Sequence, residues 1–217
     1  NSVGDVLIEN PGTTAMFDSI FVGGNNASSG GDGLLVVNHQ AVLTMPGAGV
    51  CKVYPNGKID VAQDATISAP LTAFTNQGVI EMEDGGLLDA GDLAVTSGAV
   101  LRGPTDIAGA LTVNARTHIL TGGTLELFDG DLTVGDPTST AGFLADDGTL
   151  ITVGSHTLTF MDADRAVVDE MTINGGEIVA PSGFEIYTPG QSGKLDGTGT
   201  ITGEVFIESG GSAITAT

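Results

Sequence analysis

The stretch Leu111-Thr112-Val113-Asn114, LTVN, returns as Leu132-Thr133-Val134-Gly135, LTVG. Each copy places an apolar residue, then Thr, then a β-branched apolar residue, and it ends on Asn or Gly. Alternation of this kind sends the two apolar side chains to one face of a strand and Thr to the other. Because Asn and Gly tolerate a left-handed backbone, we expect each strand to end at a corner.

The same three-residue pattern recurs along the chain at nearly constant spacing. Its five copies are Leu93-Ala94-Val95, Leu111-Thr112-Val113, Leu132-Thr133-Val134, Ile151-Thr152-Val153 and Met171-Thr172-Ile173. Their first residues lie 18 to 21 positions apart. A repeat of about 20 residues is typical of a β-solenoid, in which each coil stacks on the one before it. We therefore expect Leu111, Leu132 and Met171 to stand in one column of a shared core.

The sequence predicts an all-β chain folded as a parallel β-helix (β-solenoid), with about 20 residues per coil, in a single domain over residues 1–217. Stacked coils bury Leu, Val and Ile side chains, each contributing about 1.5–3 kcal/mol. An antiparallel sandwich or barrel also has short strands and Gly turns, but it does not explain the persistent interval. Only Asp162 to Met171, DADRAVVDEM, could form a turn or two of helix.

The composition is strongly acidic, with 27 Asp and Glu against 6 Lys and Arg and a net charge of −21. Such a surface repels nucleic acid and anionic membranes and attracts cations. No run approaches 18 consecutive apolar residues, so no membrane insertion is expected. The chain begins at Asn1 without an export leader, and we expect a processed product or a fragment. The single cysteine, Cys51, cannot form an internal disulfide and is expected to be a small buried residue.

Three longer segments carry a family resemblance: Ser19 to Met45, Thr75 to Gly86 (TNQGVIEMEDGG) and Gly197 to Ile214 (GTGTITGEVFIESGGSAI). They resemble the repeats of bacterial autotransporter-type passenger domains and of cell-surface proteins with the autotransporter-associated β-strand repeat. The resemblance implies a right-handed β-helix that is secreted or held at a bacterial cell surface, with a structural or adhesive role. It implies no particular ligand.

Catalytic motifs are weak in this sequence. Asp146-Asp147 is an adjacent carboxylate pair of the kind that glycosidases place on either side of a bond, but an isolated pair is more typical of a solvated corner. A pectin-cleaving hydrolase would add Gly-His-Gly and Arg-x-Lys, which are absent, and the three histidines stand in unrelated contexts: His39, His118 and His156. Asp129 to Thr133 resembles the D-x-D-x-T motif of dehalogenase-type phosphatases, which needs helices that this pattern does not predict. We expect no enzyme.

Calcium is the metal that the acidic pattern favours. Asp129 and Asp147 are 18 positions apart, so they could lie on adjacent coils and bind Ca²⁺ together with Asp131. The sequence therefore predicts a metal site formed by Asp129, Asp131 and Asp147, against the alternative of a solvated acidic face. Glu81, Glu83 and Asp84 form a second acidic patch, and Asp162 and Asp164 only partly match an EF-hand loop.

The function expected from these features is a non-enzymatic, extracellular structural or adhesive β-solenoid. Because solenoid ends leave strand edges without partners, we expect end-to-end stacking into a homo-oligomer or filament, or continuation within a larger surface protein. A carbohydrate or another cell-surface ligand is an expected partner. The alternative is a polysaccharide-active β-helix enzyme or a carbohydrate-binding module. Gly23 to Gly33, GGNNASSGGDG, reads as an exposed loop, and its Asn26-Ala27-Ser28 matches a glycosylation sequon.

Overall fold

The computed structural model describes residues 2–83, 85–103, 110–127, 130–135, 143–146, 148–163, 165–186, 193–207 and 213–216. Within these residues the regular secondary structure is entirely β-strand. The strands, β1 to β21 in chain order, are Ser2–Ile8, Thr14–Met16, Ile20–Val22, Gly31–Val37, Val42–Thr44, Val50–Val53, Gly57–Val61, Thr66–Asn76, Val79–Met82, Leu87–Val95, Val100–Gly103, Ala110–Ile119, Thr124–Leu127, Asp131–Gly135, Phe143–Ala145, Leu150–Gly154, Thr157–Phe160, Ala166–Val168, Glu170–Ile186, Lys194–Ile207 and Ala213–Ala216.

These strands pair in parallel, turn upon turn, and form three faces. Face 1 contains β1, β4, β7, β9, β11, β13, β16, the starts of β19 and β20, and β21. Face 2 contains β2, β5, the starts of β8, β10 and β12, then β14, β17 and the middles of β19 and β20. Face 3 contains β3, β6, the ends of β8, β10 and β12, then β15, β18 and the ends of β19 and β20. The prediction of an all-β parallel solenoid is confirmed.

The core is a set of vertical columns of side chains that point into the centre of the solenoid. On face 1 one column of eight side chains is buried without interruption over about seven turns: Leu35, Ile59, Ile80, Leu101, Leu125, Ile151, Met171 and Leu195. Each side chain in the column packs on the one from the turn below. A single coil cannot bury its own inner face, but a coil that is stacked between two neighbouring coils can. This column gives the rod a continuous apolar axis.

The turn is longer than the sequence spacing predicted, about 24 residues instead of about 20. The expected single column is wrong: Leu111 pairs with Leu132 on face 2, whereas Met171 pairs with Ile151 on face 1. Leu93 lies on face 3, paired with Phe74. All three faces use the same alternation of apolar inside and small or polar outside, so copies from different faces align in the sequence. Some of the intervals of 18 to 21 residues therefore join two copies on the same face of successive coils, whereas others join copies on different faces.

Corners between the faces use the left-handed backbone, as the terminal Asn and Gly of the motif predicted. Gly135 and Gly154 have φ of 112° and 61°. After Asn38 and Asn174, however, the left-handed residues are one position later, at His39 and Gly175. Among the described residues, the other non-glycine positions with a left-handed backbone are Asn10, Gln40, Gln63 and Asp64. Gly135 lies on the corner that joins face 2 to face 3, and the others lie on the corner that joins face 1 to face 2.

Two local expectations have definite outcomes. The segment from Asp162 to Met171 forms no helix in its described part, because Ala166–Val168 is a strand and the next begins at Glu170. Pairing with the neighbouring turns satisfies its backbone hydrogen bonds instead. Cys51 is fully buried on β6, as expected, and burial raises the pKa of its thiol far above the ordinary value. A thiol held protonated in this way is a poor nucleophile at neutral pH.

Candidate functional site

The residues of the expected calcium trio are described only in part. Asp131 is exposed at the start of β14, and its Oδ1 accepts a hydrogen bond of 2.7 Å from the backbone N–H of Thr157 on the next turn. Asp129 and Asp147 lie outside the described residues, so the trio stays a prediction. The strands that follow them, β14 and β16, lie on faces 2 and 1 and pair with different neighbours. In the described parts of the chain, no group of three or more His, Cys, Asp and Glu is arranged to hold a metal ion.

The three histidines lie in different turns, and one of them contacts a carboxylate on the adjacent turn. His118 Nε2 lies 2.8 Å from Asp146 Oδ1, and both side chains are partly exposed on adjacent turns of face 3 and its corner. His39 and His156 lie at corners between face 1 and face 2, in different turns. Of the adjacent carboxylates Asp146 and Asp147, only Asp146 is described. Its contact with an imidazole 28 residues away was not predicted from the sequence.

Four Lys and Arg side chains in the described part of the chain lie beside carboxylates: Lys58, Arg102, Arg165 and Lys194. Two of these cations belong to a charge ladder on the outer surface of face 1, composed of Lys58, Asp60, Glu81, Arg102 and Glu126. Lys58 Nζ lies 2.8 Å from Glu81 Oε2 and 3.3 Å from Asp60 Oδ2, and Arg102 Nε lies 2.8 Å from Glu126 Oε2. Burial lowers the pKa of Lys58, but hydrogen bonds and Coulomb attraction from Glu81 and Asp60 outweigh it, and the net pKa is raised.

Further cross-turn contacts hold the C-terminal turns together. Arg165 lies 3.5 Å from Glu185 and places its guanidinium 3.5 Å above the ring of Phe206. Lys194 Nζ lies 4.0 Å from Glu170 on the preceding turn and 2.7 Å from Asp196 on its own strand. The pair with Asp196 raises the pKa of Lys194 and lowers the pKa of Asp196. These cations are used for internal pairing, so they do not form a basic surface patch. The excess of carboxylates thus dominates the outer surface.

A concave site is present at the N-terminal end of the solenoid, and we call it the end cavity. Its volume is about 490 Å³, within the range of ligand pockets. The walls come from β1, β3, β4 and the connections that join β2 to β3 and β3 to β4. The lining residues include the aromatic Phe17 and Phe21 and the polar Ser19, Asn25 and Asp32. Ring surface and hydrogen-bonding groups together are what small-molecule sites offer.

The loop that borders the end cavity is built by specific contacts. Residues Gly24 and Ser29 form an antiparallel bridge, and Asn25 Oδ1 accepts hydrogen bonds from the N–H groups of Ala27 (2.8 Å) and Ser28 (3.1 Å). The hydroxyl of Tyr54, on the next turn, donates to the carbonyl oxygen of Asn25 at 2.6 Å. The sequence predicted an exposed loop here, and the loop is exposed at its tip. The sequence did not predict that the base of this loop borders a cavity. Phe17 and Asp32 are 15 residues apart in the chain, and the fold makes both of them part of the cavity lining.

Comparison with protein-family models, with curated proteins and with solved structures finds no match for this chain. Among the residues that the structure describes, no helix has the length and apolar character needed to cross a membrane. The β-solenoid is therefore established from the chain's own geometry. Any functional conclusion has to rest on the surfaces and contacts described above.

Proposed function

We propose that this chain is a non-enzymatic, extracellular β-solenoid with a structural or adhesive role. The observation that carries the proposal is the uninterrupted column from Leu35 to Leu195, which makes the solenoid a rod with a dry axis. Around that axis the outer surface carries repeated Thr and acidic residues, and Lys58 and Arg102 are paired with carboxylates on adjacent turns. A rod of this kind displays surface over a long distance, which suits a spacer or an adhesive module.

A location outside a bacterial cell belongs to the same proposal. It is supported by the resemblance of the repeats to autotransporter-type passenger domains and autotransporter-associated β-strand repeats. It is also consistent with a net charge of −21, which keeps a protein soluble and away from anionic membranes and nucleic acid. We propose secretion or attachment at the cell surface. The decisive measurement is immunodetection of the native protein on intact source cells, and strictly cytoplasmic signal would contradict the proposal.

Assembly with further copies, or within a longer surface protein, is the second part of the proposal. β1, β2 and β3 each pair with one neighbour, and their other edges have no strand partner among the described residues. On this first turn Leu7 and Met16 expose more than half of their surface. At the opposite end, residues 200–207 of β20 pair only with β19 in the described chain. Free parallel edges recruit further strands.

The size and shape of the purified chain in solution test this proposal. We expect an elongated particle by small-angle scattering and electron microscopy, with end-to-end species that increase with salt and with calcium. The calcium arm also tests the predicted site, because Asp131→Asn should reduce any calcium effect while Glu204→Gln, a distant exposed carboxylate, should not. A compact particle would contradict the rod. Strictly monodisperse monomers at high salt and calcium would contradict end-to-end assembly alone.

A polysaccharide-active enzyme is the second candidate, and the contact between His118 and Asp146 is the observation that favours it. A histidine beside a carboxylate is a pair of residue types that general acid–base catalysis uses. A screen of neutral and acidic polysaccharides for release of reducing ends decides between the candidates. Cleavage that disappears in Asp146→Ala, but persists in Glu204→Gln, would replace the structural role with catalysis. Absence of cleavage across the screen favours the structural role.

A further inference from the structure

The polar groups of the end cavity divide into donors and an acceptor. Asn25 Oδ1 is already used by the N–H groups of Ala27 and Ser28, so among the described contacts its NH₂ group is what remains for a ligand. Ser19 Oγ accepts a hydrogen bond of 3.3 Å from the N–H of Val50, which leaves its hydroxyl hydrogen to donate. The carboxylate of Asp32 can only accept. Two donors and one acceptor match a ligand rich in hydroxyl groups, since each hydroxyl does both.

The aromatic side chains of the end cavity add an apolar contact surface. Phe17 exposes 36% of its surface, and Phe21 also lines the cavity. The face of an aromatic ring carries partial negative charge, and it attracts C–H groups whose carbon bears oxygen. A sugar ring has one face of such C–H groups and a rim of hydroxyls. A sugar therefore suits a cavity lined by phenylalanines, Asp32 and Asn25 better than a purely aliphatic ligand does.

Charge excludes anionic ligands from this cavity. The described lining residues include Asp32 but no Lys, Arg or His, and the whole chain carries a charge of −21. An anionic ligand would be repelled on approach. A cation gains nothing from the groups that Ser19 and Asn25 leave for a ligand, because both are hydrogen-bond donors. The lining therefore favours a neutral ligand.

We propose that the end cavity binds one neutral sugar ring at the end of a glycan chain. The inference rests on the adhesive branch of the proposed function and gives that branch a ligand class. A volume of about 490 Å³ accommodates one ring with part of the next residue. Because so small a ligand makes few contacts, we expect a dissociation constant in the millimolar range for a single monosaccharide. Larger glycans displayed in many copies would bind through avidity.

Nuclear magnetic resonance titration of the ¹⁵N-labelled full chain with glucose, galactose, mannose and N-acetylglucosamine tests the proposal. We expect saturable shifts for at least one sugar, concentrated in residues 17–35. Phe17→Ala and Asp32→Asn should each weaken that binding at least tenfold. The matched controls are Leu71→Ala, an apolar side chain 65% exposed outside the cavity, and Glu204→Gln, and both should bind normally. All four positions lie at or near the surface, so the variants should keep the wild-type unfolding midpoint.

Three outcomes would overturn the inference. The first is no saturable shift with any sugar, and the second is shifts that lie outside residues 17–35 or survive both cavity variants. The third is that the same resonances shift with protein concentration alone, which would mean that a second copy covers the cavity. None of these outcomes contradicts the elongated shape. If the particle is elongated, cleaves no polysaccharide and binds no sugar, the structural role still holds and only the sugar site is wrong. Polysaccharide cleavage or a compact shape would instead contradict the proposed function, whatever the sugar titration shows.

Discussion

At the residue scale, the close stacking of corners depends on positions where no side chain fits. Gly78 is one such position, because an added Cβ would overlap the backbone carbonyl oxygens of Gly57 and Tyr54 on the turn below. Backbone atoms in a stacked coil cannot move aside without disturbing the neighbouring turns. Gly57 stands in the same column, where its own Cβ would meet the carbonyl of Val22. These glycines set how closely successive turns approach.

We predict that Gly78→Ala destabilises the chain by about 1–3 kcal/mol, the usual cost of overpacking. The matched control is Gly47→Ala, where an added Cβ meets no atom within 4 Å. There the loss of unfolded-state freedom should stabilise the chain slightly or leave it unchanged. Urea unfolding followed by circular dichroism measures both. Equal midpoints for the two variants would show that the turns can separate at no cost.

Sequence reasoning predicted part of this residue-level picture. That Gly135 and Gly154 end strands in a left-handed backbone follows from the type of residue and its place after an apolar run. The need for glycine at Gly78 does not follow, because it depends on which carbonyl lies beneath it. That carbonyl belongs to Gly57, 21 residues earlier, and only the register between turns brings the two together.

At the element scale, three strands from successive turns meet through their phenylalanines. Phe143 on β15 and Phe160 on β17 have ring centroids 4.8 Å apart, and Phe160 is 6.4 Å from Phe184 on β19. All three rings are at least 98% buried. Phe160 lies between the other two and links face 2 to face 3. It therefore contributes to the packing of several elements at once.

We predict that Phe160→Ala costs about 3–5 kcal/mol, because the cavity it leaves is bordered by strands that are fixed by their neighbours. Phe17→Ala, which removes a ring that is 36% exposed, should change stability by about 0.5 kcal/mol or less. Thermal unfolding of the two variants beside the wild-type chain checks the contrast. A loss at Phe160 as small as that at Phe17 would mean that the interior collapses around the gap.

The charge ladder gives face 1 a dependence on alkaline pH. The pKa of Lys58 is higher in the folded chain than its ordinary value, so its ion pairs contribute stability below that ordinary value. The contribution is lost as pH rises through the raised pKa. Since the side chain of Lys58 is about one-third exposed, we expect the total effect to be about 1 kcal/mol or less.

The measurement is the difference in unfolding midpoint between wild-type chain and Lys58→Met across the pH range. We expect a constant difference from neutral pH up to about pH 10 and a decrease above it. A difference that already disappears near neutral pH would contradict the assigned pairs with Asp60 and Glu81. A difference unchanged at the most alkaline pH would show that packing of the lysine stem, rather than its charge, carries the effect.

How elements would pair was the least predictable part of the fold. Alternation in segments such as Leu132-Thr133-Val134 correctly indicated strands with one buried face. It did not indicate which turn lies beneath, because all three faces share the pattern. The contact between His118 and Asp146 illustrates the consequence. It joins residues 28 positions apart, a separation that no local motif specifies.

At the scale of the whole molecule, uncompensated carboxylates oppose the stacking that hydrophobic columns drive. Turns lie only about 4.8 Å apart, which is shorter than the Debye length of about 10 Å at 0.1 M salt. Repulsion between turns is therefore felt at low ionic strength. At 1 M salt the Debye length falls to about 3 Å, below the spacing of the turns. The same argument applies between two copies that meet end to end.

We therefore predict that the unfolding midpoint rises steadily with sodium chloride up to about 1 M, as screening removes this repulsion. A variant with three exposed carboxylates neutralised, Asp5→Asn, Asp18→Asn and Glu204→Gln, should start from a higher midpoint at low salt and rise less steeply. Differential scanning calorimetry in buffers of graded ionic strength measures both slopes. If the wild-type midpoint were independent of salt, pairs such as Lys58 with Glu81 would have to balance the excess charge locally. The acidic surface would then set how the rod meets other molecules without limiting how its turns stack.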